Sequence, residues 1–220
     1  MPPKENGQFV ADMENVLDVY KQEYDRKHPL VCMDESPKQL IGESRKVVEM
    51  KEGKEKRIDS EYVRNGICEI FMANEPLQGK RIVEITERRT KKDWAQFIKE
   101  LADVHYPEAE KITLVMDNLN THCTGSLYDT FKPEEAKRLV DKLNFVYTPK
   151  HGSWLNMAEI ELNVLQNQCL KRRIDNIETV REEVAAWQEA RNNKKIKINW
   201  RFTSKDSRVK LKRLYPSIES

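Results

Sequence analysis

What the 220-residue chain lacks narrows its class before any motif is considered. Its four cysteines, Cys32, Cys68, Cys123 and Cys169, are scattered, with no CxxC pair and no paired histidine spacing. That pattern supports neither a disulfide framework nor a tetrahedral zinc site, so all four read as structural residues, Cys32 and Cys68 within apolar runs. Glycine and proline are scarce, at seven and nine residues, which excludes collagen-like and low-complexity chains. No apolar run approaches the roughly 20 residues needed to span a bilayer. Residues 1–17, MPPKENGQFVADMENVL, lack the basic-then-apolar order of a secretory leader. The expectation is a soluble, cytoplasmic protein with no membrane partner. Net charge is nearly absent too: 39 Lys and Arg against 37 Asp and Glu leave +2, which by itself names no partner. What is present is a core-forming set, 38% hydrophobic with four Trp, seven Tyr and six Phe.

The charge is unevenly placed. Lys194, Lys195, Lys197, Arg201, Lys205, Arg208, Lys210, Lys212 and Arg213 stand against Asp206 alone, interleaved with Trp200, Phe202 and Tyr215. Such a stretch suits a polyanion contact, although composition alone slightly favours a plain solvated tail. Upstream, apolar residues at helical spacing predict a helix over 9–24, ended by His28-Pro29. LVCM at 30–33 reads as a buried strand stopping at Asp34, and 36–60 as a loop with a short strand near Val47-Val48. GICEIFMA (66–73) and RIVEIT (81–86) flank the turn Glu75–Gly79 and predict a hairpin. A helix over Trp94–Val104 follows, then the strand KITLVM (111–116), which also ends in an acid, Asp117. A helix from Pro133 to Leu143, a strand over 144–148, a long helix from an N-cap at Ser153 toward Arg173, and a helix over 178–191 complete the order. The sum is an α/β domain in which a hairpin precedes parallel crossovers.

Functional residues in such a sheet gather at the carboxyl ends of strands, and two strands here end in Asp. Close carboxylates raise each other's pKa and call for a counter-charge, and an oxygen-only donor set selects Mg²⁺ or Mn²⁺ over zinc. A third carboxylate would come from the helix after Ser153, where periodicity does not choose between Glu159 and Glu161.

Two segments do choose. Met116-Asp117-Asn118-Leu119-Asn120-Thr121-His122 and Tyr147-Thr148-Pro149-Lys150-His151-Gly152-Ser153-Trp154-Leu155-Asn156-Met157-Ala158-Glu159, preceded by Val31-Cys32-Met33-Asp34-Glu35, resemble the DDE catalytic domain of the IS630 transposases, relatives of the Tc1/mariner elements. The resemblance continues through Trp200-Arg201-Phe202-Thr203 and so covers most of the chain. It implies an RNase H-like fold, with a mixed central sheet flanked by helices. The catalytic, metal-binding acids would be Asp34, Asp117 and Glu159, holding two Mg²⁺ or Mn²⁺ ions. Asn118, His122 and Asn156 would orient them or touch DNA. Lys150, His151, Trp154, Lys194, Lys195 and Arg201 are candidate DNA contacts.

The activity implied is metal-dependent cleavage of double-stranded DNA at transposon ends, followed by transfer of the freed 3′-OH into target DNA. A nuclease without strand transfer, or a catalytically idle DNA-binding remnant, are the alternatives. The expected division is an N-terminal helix over 1–30, the catalytic domain over 31–192 and a basic tail over 193–220. A homodimer on DNA is expected. Because relatives carry helix-turn-helix modules ahead of the catalytic part, a separately encoded DNA-binding half is a further expected partner.

Overall fold

A computed structural model describes residues 6–45, 60–117, 119 and 122–217. Five strands, β1 (Leu30–Glu43), β2 (Tyr62–Glu75), β3 (Lys80–Thr86), β4 (Ile112–Met116) and β5 (Leu143–Tyr147), form one sheet in the order β3-β2-β1-β4-β5. β1, β2 and β3 pair antiparallel, whereas β4 and β5 continue parallel to β1, which makes the sheet mixed, as expected. The β2–β3 turn closes on Gly79 at φ 71°, where an added Cβ would stand 2.6 Å from the Lys195 carbonyl carbon; only glycine fits.

Alternation along β1 divides the core. Leu30, Cys32 and Leu40 join Cys68, Ile70 and Met72 on the face covered by α1 (Gly7–Val19), α5 (Met157–Leu165) and α6 (Ile177–Asn193). Val31 and Met33 join Phe71 and Ala73 on the other, under α2 (Lys91–Glu100), α3 (Thr124–Thr130) and α4 (Pro133–Lys142). The polypeptide after α2 continues as a wider turn through His105 before β4. All four cysteines are free thiols, and Cys32 and Cys68 are buried as expected.

Several elements differ from the expectation, each for a local reason. β1 does not stop at Met33 but runs through Pro37 to Glu43, its second half paired with the first half of β2. There it has a neighbour on one side only, because β4 pairs with Leu30–Cys32 alone, and a strand with an open side tolerates proline. The expected strand near Val47-Val48 lies outside the described residues. α1 ends at Val19, leaving Tyr24 in an exposed turn. The polar segment after Asp117 contains α3, whose Leu127 is buried in the α2 face of the core. Ser153 starts a single 3₁₀ turn, and the N-cap of α5 is Asn156. The basic C-terminal segment holds α7 (Ser204–Lys210), opened by a Thr203/Asp206 capping box, and folds back on α1: Arg208 donates two hydrogen bonds to Glu14 at 2.8 Å, and Ser204 one to Asp18 at 2.7 Å.

Candidate active site

Parallel pairing fixes the first two acids. Leu30, Val31 and Cys32 stand opposite Thr113, Leu114 and Val115, so the same register carried two residues further sets Asp34 level with Asp117 on the neighbouring strand. Adjacent strands lie about 4.8 Å apart, so the two residues project side by side from the carboxyl end of the parallel half of the sheet. Both share the parity of Cys32 and Val115, the side on which α5 packs.

The third acid arrives on α5, whose start is tied to β1 by one side chain. Asn156 accepts a hydrogen bond from the Ala158 backbone at 3.1 Å, capping the helix, while its amide donates at 2.7 Å to the carbonyl of Met33, the residue before Asp34. Tyr20, the residue that caps the end of α1, adds a second tie, donating to the Leu155 carbonyl at 2.7 Å. Glu159 therefore sits in the first turn of a helix whose end is anchored beside Asp34.

The structure also separates Glu159 from Glu161. Glu161 is 1% exposed and takes two hydrogen bonds from Arg81 (2.9 and 2.8 Å) and two from Arg191 (2.7 and 3.0 Å). It is a satisfied anchor between α5, β3 and α6. Nothing in the sequence pairs Arg81 with a residue 80 positions away, so this anchor was not legible there.

Electrostatics distinguish the group around Asp34. Burial, together with the negative charges of Asp117, Glu35 and Glu159, pushes the Asp34 carboxyl up to about 7, although the Glu35 backbone N–H donated to it at 2.8 Å acts the other way. Asp117 is held from below by His122: Nδ1 lies 2.6 Å from Asp117 Oδ1, and Nε2 lies 2.5 Å from Oε1 of Glu35. Burial lowers the His122 pKa, but the two carboxylate hydrogen bonds outweigh it and raise it to about 9. The ring stacks on Trp94 at 5.7 Å, and Tyr147 donates to the His122 carbonyl at 3.0 Å. Glu35 stands beside Asp34 in sequence but had no expected role; the only hint was an acid one residue on, facing the opposite side of the strand.

Among the described residues, no three His, Cys, Asp or Glu side chains are grouped so as to hold a metal ion as they stand. Asp34, Asp117 and Glu159 nonetheless share one field, since the other two acids both raise Asp34. A half-buried all-oxygen donor set short of positive charge fits a hard divalent cation.

The other expected contacts divide by location. A cleft of about 360 Å³ beside Asp117 is lined by Leu119, Thr148, Pro149, Lys150, His151 and Ser153. Lys150 and His151 are exposed there, His151 in the left-handed region at φ 67°. Trp154, 44% exposed, meets Phe202 edge-on at 6.1 Å, which brings the exposed Arg201 to the same neighbourhood. Lys194 and Lys195 fall elsewhere: Lys195 lines a cleft with Gln78, Gly79 and Lys80 at the β2–β3 turn, beyond the amino end of β1. Asn118 lies outside the described residues.

No helix among the described residues is long and apolar enough to cross a membrane. No curated protein matches the chain. Solved structures do, at low identity. A Mos1 transposase paired-end complex with left transposon end is similar at TM-score 0.59 and 15% identity, covering 86% of this chain and 57% of that one. A Mos1 mariner paired-end complex with Mg aligns at 0.57 and 15%, covering 99% and 66%. The catalytic domain of Mos1 mariner transposase aligns at 0.54 and 12%, covering 89% and 96%. The chain thus spans 57% of the first of these relatives and nearly all of the isolated catalytic domain. At such identities the likeness is one of fold, and the fold is RNase H-like. The sequence profile of the DDE superfamily endonucleases matches residues 29–181, from just before β1 into α6, and the chain belongs to that family.

Proposed function

We propose that the chain is the catalytic part of a DDE transposase in which Asp34, Asp117 and Glu159 bind two Mg²⁺ or Mn²⁺ ions, cut DNA at transposon ends and join the freed 3′-OH to target DNA. The observation that supports this reading is that Asp117 and Glu159 both act, with burial, to raise the Asp34 carboxyl. Asp34, within β1, stands level with the residue that follows β4, and the capped start of α5 is tied to β1 by Asn156. The neighbours solved with Mn, with Mg and with transposon ends support the choice of cation and substrate.

When bound, such ions lower the pKa of the attacking water or hydroxyl and offset charge on the phosphate. The chain itself supplies placement. His122 holds one oxygen of Asp117, Asn156 locks α5 against β1, and Lys150 offers a cation to the DNA backbone in the cleft beside Asp117. Trp154 and Arg201 extend that surface, whereas Lys194 and Lys195 at the far end of the sheet would serve a separate stretch of DNA. Two copies acting on two transposon ends, together with a helix-turn-helix half, complete the expected assembly.

The test is nicking and joining of a supercoiled plasmid and labelled end duplexes in Mg²⁺ or Mn²⁺. Asp34→Asn, Asp117→Asn and Glu159→Gln should each reduce nicking to background and leave salt-sensitive DNA binding in place. Wild-type nicking by any of them removes that residue from the site. Nicking without joining by the wild-type chain would make it a nuclease of the same fold instead.

A further inference from the structure

We infer that Glu35, on the sheet face opposite Asp34, is a positioning residue that acts through His122 to fix which oxygen of Asp117 is offered to the cation. The inference rests on the reading of Asp117 as a metal-binding acid and adds a residue to that site. Successive strand residues point to opposite faces, so Glu35 shares the side of Met33 and Phe71, under α2 and α3, and cannot reach the cation side directly. β4 ends at Met116 while β1 continues, and His122 fills the gap this leaves. Its ring spans from Glu35 Oε1 (2.5 Å) to Asp117 Oδ1 (2.6 Å).

Both the Glu35 and His122 side chains are 1% exposed, whereas Asp117 is 29% exposed. The ring is thus held at both nitrogens, on one face by Trp94 and at its backbone carbonyl by Tyr147. With Oδ1 engaged from below, Oδ2 is the oxygen left for a cation, and the aspartate is hindered from turning away. Stability gives little reason for the arrangement. Glu35 Oε2 is buried without a hydrogen-bond partner, and buried ion pairs contribute weakly to folding against apolar residues of the same size. Partners that orient a metal-binding side chain from behind, by contrast, typically change metal affinity 10- to 100-fold when removed.

The experiment is Mn²⁺ titration of the full chain by electron paramagnetic resonance, alongside melting curves in chelator, for wild type, Asp117→Asn, Glu35→Ala and Glu35→Gln. Asp117→Asn should abolish the tight Mn²⁺ signal. Glu35→Ala should weaken Mn²⁺ binding by about tenfold or more per folded molecule. Glu35→Gln, whose amide can still engage Nε2, should restore binding to within about threefold of wild type. Wild-type Mn²⁺ affinity in folded Glu35→Ala, whatever its melting temperature, overturns the inference. If Asp117→Asn itself binds Mn²⁺ normally, the underlying site assignment is what fails. Should Glu35→Ala not fold, ¹⁵N NMR of the wild-type His122 ring decides: both ring N–H signals should persist, with Nδ1 shifting on Mg²⁺ addition. Loss of either signal to solvent exchange, or no shift with Mg²⁺, rejects the brace.

Discussion

Glu159 and Glu161 stand two positions apart on α5 and meet opposite surroundings. Burial pushes the Glu161 carboxyl up, but four hydrogen bonds from Arg81 and Arg191 more than offset that and hold it below the usual range. No hydrogen bond or ion pair joins Glu159 to an arginine or lysine among the described residues, and its charge is felt by Asp34. The difference teaches how to sort acids in a domain where 35% of residues are charged. A carboxylate supplied with its own guanidinium belongs to the scaffold. A buried carboxylate such as Asp34, raised by the acids around it and given no guanidinium, is electrostatically incomplete, and a cation is what completes it.

The sharpest way to break this comparison is to remove each glutamate. Glu161→Ala would strand Arg81 in the core and leave Arg191 without its partner. Losing one side of a buried pair costs about 3–5 kcal/mol, so the melting temperature should fall by roughly 10 °C in a chain of this length. Glu159→Gln should melt within about 2 °C of wild type in chelator and yet lose metal-dependent nicking. Equal destabilisation by the two substitutions would erase the distinction between anchor and site.

Asp34 gives the next largest effect, with a definite sign. Its carboxyl titrates near 7 in the folded chain against an ordinary 3.8, so between those values the folded state holds a proton that the unfolded state has released. The contribution to stability is therefore full below about pH 4, declines as pH rises toward 7 and stays lost above it. Asp34→Asn in chelator should match wild type near pH 4 and melt about 5 °C higher at pH 8. Mg²⁺ should raise the wild-type melting temperature at pH 8 and leave the variant unmoved. A wild-type protein whose melting is flat from pH 4 to 8 would contradict the crowding of acids around Asp34.

Much of this site was legible in the residues because its parts are local. A buried run ending in an acid announces a carboxylate at a strand tip, which holds for TLVM before Asp117 though not for LVCM before Asp34, where β1 runs on, and the hairpin turn carries its own glycine. What escaped is whatever depends on distant partners. The second half of β1 is polar and contains Pro37, so it reads as a loop until pairing with β2 is known. α3 is a seven-residue helix held by packing against α2, with no side-chain cap to mark its start. Ser153 and Asn156 are equally good caps on paper, and the Met33 carbonyl favours the second. The choice between Glu159 and Glu161, open to periodicity, turns on Arg81 and Arg191, from β3 and α6.

Asn156 tests whether that remote tie matters. Asn156→Ala removes the cap of α5 and strands the buried Met33 carbonyl, a loss of about 1–2 kcal/mol that should lower the melting temperature by roughly 4 °C. It should also weaken Mn²⁺ binding, because Glu159 rides on the helix end that is released. Asn156→Asp, which keeps the cap but turns the Met33 donor into an acceptor, should recover less of the metal affinity than of the helix.

The smallest effect calibrates the first. Arg208 grips Glu14 with the same two-pronged geometry, 2.8 and 2.8 Å, that Arg81 applies to Glu161, but the Arg208 side chain is 60% exposed. In water each partner of such a pair is solvated when the other leaves, and the attraction is screened by salt. Arg208→Ala should therefore move the melting temperature by less than about 2 °C, and less still at high salt. If it instead rivals Glu161→Ala, geometry rather than burial sets the strength of these pairs. Sorting the acids by whether their charge is compensated inside the fold would then lose its physical basis.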